Sequence, residues 1–248
     1  MKQKMLTIVF LAAFLLAACN ILPNILPNQQ AAQMGLKSVE VVPSSVPLSQ
    51  NVKFQDNFEQ DVSKAWGMKV ISGIEKQIVI TQPNGHLRIQ LNPGNNTNFV
   101  FFNKDRNYSD VVVQGEVQYL EPTDASVAVM CRASSKGWYE FRINGQGYYE
   151  LVKFDQQIQD QGKNGYSDLI GGQFRTPLIK TGTEKNTFAL SCVGKELKVF
   201  LNGQQIYLQK RPLVAEDQSY TDGTVGFGVD GKGQSADLNL NYIETLNS

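Results

Sequence analysis

Six residues in one stretch of the chain have side chains suited to holding a polar ligand. Trp138, Glu140, Arg142, Tyr148 and Glu150 fall within "WYEFRINGQGYYELV", and Arg132 lies just upstream. In an extended strand successive side chains point to opposite faces, so Tyr139, Phe141, Ile143, Tyr149 and Leu151 form one apolar row that belongs to a core. Trp138, Glu140, Arg142, Tyr148 and Glu150 then share the other face. Arg132 joins them if its strand pairs nearby. Aromatic rings beside charged hydrogen-bonding groups are how shallow sites hold sugars, so these six are the ligand-binding candidates, with a glycan as the possible ligand. The plainer account of Trp138 is half-buried packing at a sheet edge.

The two carboxylates suggest a second chemistry. A three-residue loop would set Glu140 across from Glu150, about 5 Å away. A four-residue loop would set Glu150 against Phe141 and dissolve the pair. Carboxylates that close could act on a glycosidic bond, but they repel unless Arg142, a cation or a function compensates. Solvated side chains on an outer face are the plainer account here too, and no residue is assigned as catalytic. Other chemistries have less support. His86 is the one histidine of the chain, and no G-x-S-x-G motif accompanies it. The three cysteines and single histidine are too few for a zinc site once Cys19 is committed elsewhere. Formal net charge is zero; removing Lys2 and Lys4 from the 23 Lys and Arg leaves 21 against 23 Asp and Glu. With no basic run, nucleic acid is not expected as a partner.

The elements that must position these residues are strands. Asn-Gly or Asp-Gly occurs at 84–85, 144–145, 164–165, 202–203, 222–223 and 230–231, supplying the positive φ of tight hairpins. Between them run short alternating segments, among them "HLRIQL", "DVVVQGEVQYL", "ASVAVMCR", "NTFALSCV", "TVGFGV" and "ADLNLNYI". In "ELKVFL-NG-QQIYL" a two-residue loop pairs Leu201 with Gln204, Val199 with Ile206 and Leu197 with Leu208. The first and last strands, "VKFQDNF" and "ADLNLNYI", are expected to pair. No helix longer than a turn or two is expected. Closely spaced strands without intervening helices predict an all-β sandwich or barrel over residues 51–248.

The order of these segments, with the "NG" hairpin and the "TVGFGV" strand, resembles the concanavalin A-like lectin/glucanase jelly roll. It is most similar to the laminin-G-like and 3-keto-disaccharide-hydrolase-like sandwiches of bacterial surface proteins. The resemblance implies a two-sheet antiparallel jelly-roll sandwich and carries no chemistry of its own. The endoglucanases of that group carry an E-x-D-x-x-E strand, which this chain lacks. "EVQYLE" (116–121) has no central aspartate, and Asp110 and Glu116 stand about 20 Å apart along a strand. Calcium is a possible cofactor because many jelly-roll lectins use it. Asp155, Asp160, Asn164 and Asp168 crowd one glycine-rich stretch, and Asp217 and Asp222 flank Tyr220, but the EF-hand spacing is absent.

The amino terminus supplies an address. "MKQK" is followed by the apolar run "MLTIVFLAAFLLAA", about 21 Å long as a helix against a hydrocarbon core of about 30 Å. Leu16-Ala17-Ala18-Cys19 resembles the bacterial lipobox, which implies a signal peptide over 1–18 and a lipid on Cys19. The membrane is then a partner, and the chain faces the extracytoplasmic side of the cell envelope. Residues 19–50, with "ILPNILPN" and further prolines, read as an extended tether. In an exported domain Cys131 and Cys192 can oxidise, and both share parity with apolar neighbours pointing inward. A Cys131–Cys192 disulfide is expected, with two separate buried thiols as the alternative. Three functions are in view: a non-catalytic carbohydrate-binding module, a glycan hydrolase using Glu140 and Glu150, and a scaffold lipoprotein that binds another surface protein. Cys19→Ser is expected to leave the protein unlipidated and move it from the membrane fraction to the soluble or precursor pool. Mass spectrometry finding an unmodified mature terminus elsewhere would refute the assignment.

Overall fold

The computed structural model describes residues 51–94 and 96–246; the expected signal peptide, Cys19 and tether lie outside the described residues. The alternating segments pair, all antiparallel, into two large sheets. The larger sheet runs in the order Gln204–Gln205, Glu196–Leu201, Lys185–Val193, Val111–Tyr119, Ala236–Leu246, Leu87–Leu91, Ile78–Thr81. The smaller runs Tyr166–Asp168, Tyr148–Asp155, Gly137–Asn144, Ser126–Ala133, Thr224–Asp230, Asn98–Asn103, Trp66–Ser72. As expected, the first strand, Val52–Asp56, pairs with the last. The α-helices among the described residues are Val62–Ala65 and Gln156–Asp160, each about one turn.

Alternation decides which side chains are inside. Leu87, Ile89 and Leu91 are buried from one sheet and Val127, Val129, Tyr139, Phe141 and Ile143 from the other, while Arg88 and Gln90 point away. Phe227 lies flat on Phe101 at 4.7 Å and meets the edges of Trp66 and Phe58, which fills one end of the sandwich. Cys131 of the smaller sheet and Cys192 of the larger are joined as a disulfide with Cα atoms 6.6 Å apart, so the inward parity of both residues holds.

The "NG" hairpin follows its expected register at the start: Leu201 faces Gln204 and the Ile206 amide donates to Val199 O. Asn202 and Gly203 both take positive φ, as a two-residue turn of this hand requires. The expected pairing of Leu197 with Leu208 does not form. Tyr207–Leu208 makes a small ribbon with Arg211–Pro212, and the returning Val214–Glu216 strand sets Ala215 opposite Leu197. Gln209 and Lys210, both at positive φ, make the reversal that ends the hairpin early.

The disulfide closes a loop of sequence separation 61 across the two sheets. Replacing both cysteines by alanine is expected to lower stability by about 4 kcal/mol from loop entropy, read as a reduced denaturant midpoint. Two free thiols in the denatured, unreduced domain, in addition to Cys19, would refute the bridge.

Candidate ligand-binding groove

The smaller sheet has an outer face that is folded inward rather than open. Gly226 and Gly228 alternate with Val225, Phe227 and Val229, so the middle of this face carries no side chains on that strand. A Cβ on Gly228 would come within 2.9 Å of Met130 Cε, Phe99 O and Val100 Cγ1. Across this gap Trp138 reaches Phe102, three strands away, with ring centroids 5.0 Å apart. The two ends of the sheet also meet: Lys69 Nζ, on the edge strand Trp66–Ser72, donates to Gln156 Oε1 at 2.5 Å. Residues 156–166 loop back so that Tyr166 packs on Phe154 at 4.8 Å. A second small core results, made of Val100, Ala128, Met130, Ala133, Trp138 and Phe154.

The expected parity is therefore observed, with Trp138, Glu140 and Arg142 on the face opposite the main core, but their exposure is not as expected. Trp138 is 1% exposed and stacks on Phe154 at 4.1 Å, so it offers no open ring to a sugar. The register also differs from both loop lengths considered. Ile143 pairs with Tyr149, which puts Arg142, not Glu140 or Phe141, opposite Glu150. Asn144 Oδ1 accepts from the amides of Gln146 and Tyr148 and organises this longer turn. Tyr148 is half-buried on the same face, with Arg175 over its ring at 5.8 Å, and lies outside the groove described below.

Arg142 is the centre of the site. Its Nε donates to Glu140 Oε2 at 2.5 Å, and its Nη1 reaches Asp230 Oδ2 at 3.1 Å and Glu150 Oε1 at 3.5 Å. The guanidinium lies over the Tyr166 ring at 4.2 Å, a cation–π contact. Glu140 Oε1 accepts from Trp138 Nε1 and from the Tyr166 hydroxyl, so both oxygens of this buried carboxylate are occupied. Burial alone would disfavour the Arg142 charge. Glu140, the Tyr166 phenol, Asp230 and Glu150 outweigh it and hold the guanidinium firmly protonated. Burial and the nearby Glu140 carboxylate push the Tyr166 phenol well above its ordinary value. One atom is left over: Arg142 Nη2 is buried without a hydrogen-bond acceptor.

Arg142 lines a groove of about 650 Å³. Glu150, Val152 and Asp230, on the same sheet face, form the floor with it; Asn98, paired with Ser72 on the neighbouring strand, and Tyr166, on the edge strand at the other end of the sheet, are joined by a hydrogen bond of 3.1 Å, and Ile71 and Lys232 also line it. Lys232 Nζ lies 3.4 Å from Glu150 Oε1. Asp230, Tyr166 and Lys232 were not among the sequence candidates. The parity of "TVGFGVD" carries the signal for Asp230, which alternates with the apolar residues and so shares a face with Arg142. Tyr166 begins the three-residue edge strand Tyr166–Asp168, opposite Phe154, too short for alternation to mark it.

Arg132 is not part of this site. Its φ of 52° interrupts the strand alternation at a bulge, and the side chain turns to the other end of the sandwich. There, 1% exposed, it donates to Ser109 O, Tyr220 O and Asp110 Oδ1. The aspartates weighed for calcium have local partners. Asp155 caps the Gln156–Asp160 helix, Asp160 accepts from Gln156, Asp168 accepts from the Ile170 amide and Asp222 from Thr221. Asn164 accepts from the Tyr166 amide. Burial would raise Asp217, but bonds from Lys153, Tyr139 and Ser219 outweigh it and hold the carboxyl far below its usual range. Among the described residues no three His, Cys, Asp or Glu side chains converge to hold a metal.

Fold and groove together define a two-sheet jelly-roll sandwich with a polar cleft on one face. No family model and no curated protein matches the sequence. Solved structures do match. A carbohydrate binding module from Bacillus subtilis is 15% identical over 74% of this chain and 97% of that one, with a TM-score of 0.52. The catalytic domain of an endo-1,3-beta-glucanase (laminarinase) from Thermotoga petrophila RKU-1 is 8% identical over 82% and 99%, with a TM-score of 0.56. A Bacillus subtilis protein of unknown function with a galectin-like fold is 10% identical over 82% and 100%, with a TM-score of 0.54. At these identities the likeness shows the fold, one shared by binding modules and glucanase catalytic domains.

Because Trp138 is a packing residue, Trp138→Ala is expected to cost about 3–5 kcal/mol of stability, the usual range for emptying a buried aromatic site. A thermal or denaturant midpoint equal to that of the unaltered protein would show that the indole is not enclosed.

Proposed function

We propose that the chain is a lipid-anchored carbohydrate-binding module, held through Cys19 at the extracytoplasmic side of the cell envelope and without catalytic activity. The observation that carries the binding reading is the Arg142 cluster: a buried guanidinium flanked by two partly exposed carboxylates, Asp230 and Glu150, along a groove lined by polar groups. Hydroxyl groups both accept and donate, so they match a floor that alternates donor and acceptor. The likeness to a carbohydrate binding module is consistent with this use of the face. Lipid anchoring rests on the lipobox-like "LAAC" after an apolar run.

Hydrolysis by Glu140 and Glu150 is less well supported. A retaining pair needs a nucleophile and a protonated acid about 5–5.5 Å apart. Here Arg142 binds both carboxylates, and Glu140 has no oxygen left for a substrate. A scaffold role would rest on the exposed Met68, Ile74 and Val79 beside the edge strands Trp66–Ser72 and Ile78–Thr81. A glycan array with the purified protein tests the binding reading. Lys232→Ala is expected to weaken retention about tenfold, or about 1.4 kcal/mol, with the thermal midpoint little changed. Absence of any glycan bound overturns the reading, and release of product from chromogenic glycosides that is lost in Glu140→Gln would favour the hydrolase.

A further inference from the structure

The groove's charges are arranged in pairs that leave none in surplus. Three cations border or underlie it, Arg142, Lys232 and Lys163, against three carboxylates, Glu140, Glu150 and Asp230. Arg142 is bound by Glu140 and Asp230, with Glu150 a further 3.5 Å contact, and Lys232 is bound by Glu150. Lys163 stands exposed on the rim, beside Gln161. The floor thus carries no cation that is not already neutralised. A carboxylate or sulfate entering the groove would meet the partly exposed Asp230 and Glu150 carboxylates that already hold Arg142 Nη1. Like charges that close, partly shielded from water, repel strongly. An uncharged hydroxyl meets no such penalty, since its hydrogen can turn to one of these carboxylates.

Resting on the glycan reading above, we infer that this groove selects neutral glycans and rejects uronate- and sulfate-bearing ones, with Asp230 and Glu150 as the residues that exclude negative charge. Their second task follows from the same geometry, because each also balances Arg142. Removing both negative charges while keeping the side-chain shapes, as in the double variant Glu150→Gln with Asp230→Asn, leaves Arg142 paired with Glu140 but Lys232 and Lys163 in surplus, and converts the groove into one that attracts acidic chains.

The test is affinity electrophoresis of the purified protein through gels containing laminarin, dextran or inulin, against polygalacturonate and dextran sulfate, at low ionic strength where attraction to acidic polymers is strongest. The expected result is retardation by at least one neutral polymer and by neither acidic one. The double variant is expected to gain tenfold or more in affinity for polygalacturonate, a gain that misfolding cannot imitate when circular dichroism shows the unaltered β signature. If the unaltered protein binds the acidic polymers as strongly as the neutral ones, charge exclusion is overturned and glycan binding stands. If neither class retards it, the glycan reading fails and this inference with it. A folded double variant that gains no affinity for polygalacturonate overturns the role given to Asp230 and Glu150.

Discussion

A guanidinium taken out of water must be met by acceptors on nearly every nitrogen, and on this sandwich Arg142 imposes that requirement on the whole outer face of one sheet. The idealised penalty for moving such an ion into a low-dielectric interior is large, and removing one partner of a buried ion pair costs about 3–5 kcal/mol. Glu140, two residues away on the same strand, supplies the nearest counter-charge. Once Glu140 is buried its other oxygen also needs donors, and Trp138 and Tyr166 provide them. Tyr166 lies on the edge strand Tyr166–Asp168, opposite Phe154, so the position of that strand is tied to the same charge. Asp230 and Glu150 complete the shell from the two flanking sides. The small second core and the groove are therefore parts of one arrangement.

The strand content, the pairing of first and last strands, the inward parity of Cys131 and Cys192 and the face shared by Trp138, Glu140 and Arg142 are legible from alternation and turn dipeptides. These are local or period-two properties, and the pleat enforces them. What alternation does not encode is whether an outer face meets water. Trp138 reads as a surface ring only on the assumption that nothing covers it; Phe154 from the next strand, and Phe102 and the Lys69 ammonium from across the sheet, enclose it instead. Register is similarly fragile. Ile143 pairs with Tyr149 because Asn144 ties the turn through two amide bonds, and this moves Glu150 from Glu140 to Arg142. Arg132 fails for a third reason: a bulge inserts one residue into the count, and every parity argument beyond it changes sign.

The glycines at 226 and 228 connect the shape of the sheet to its chemistry. With side chains there, Trp138 and Phe102 could not meet across the strand, and the face would not fold inward enough to bury Arg142. The neighbouring residue of the same parity is Asp230, the first position on that strand where a side chain returns to the outer face. It returns opposite Asn98 and within reach of Arg142. The apolar hollow and the polar groove are consecutive stretches of one row of residues, separated by a single step in the strand. That continuity explains why a site built largely from buried groups still opens to solvent at one end. The buried end holds the geometry, and the open end presents Glu150, Asp230 and Lys232 to whatever enters.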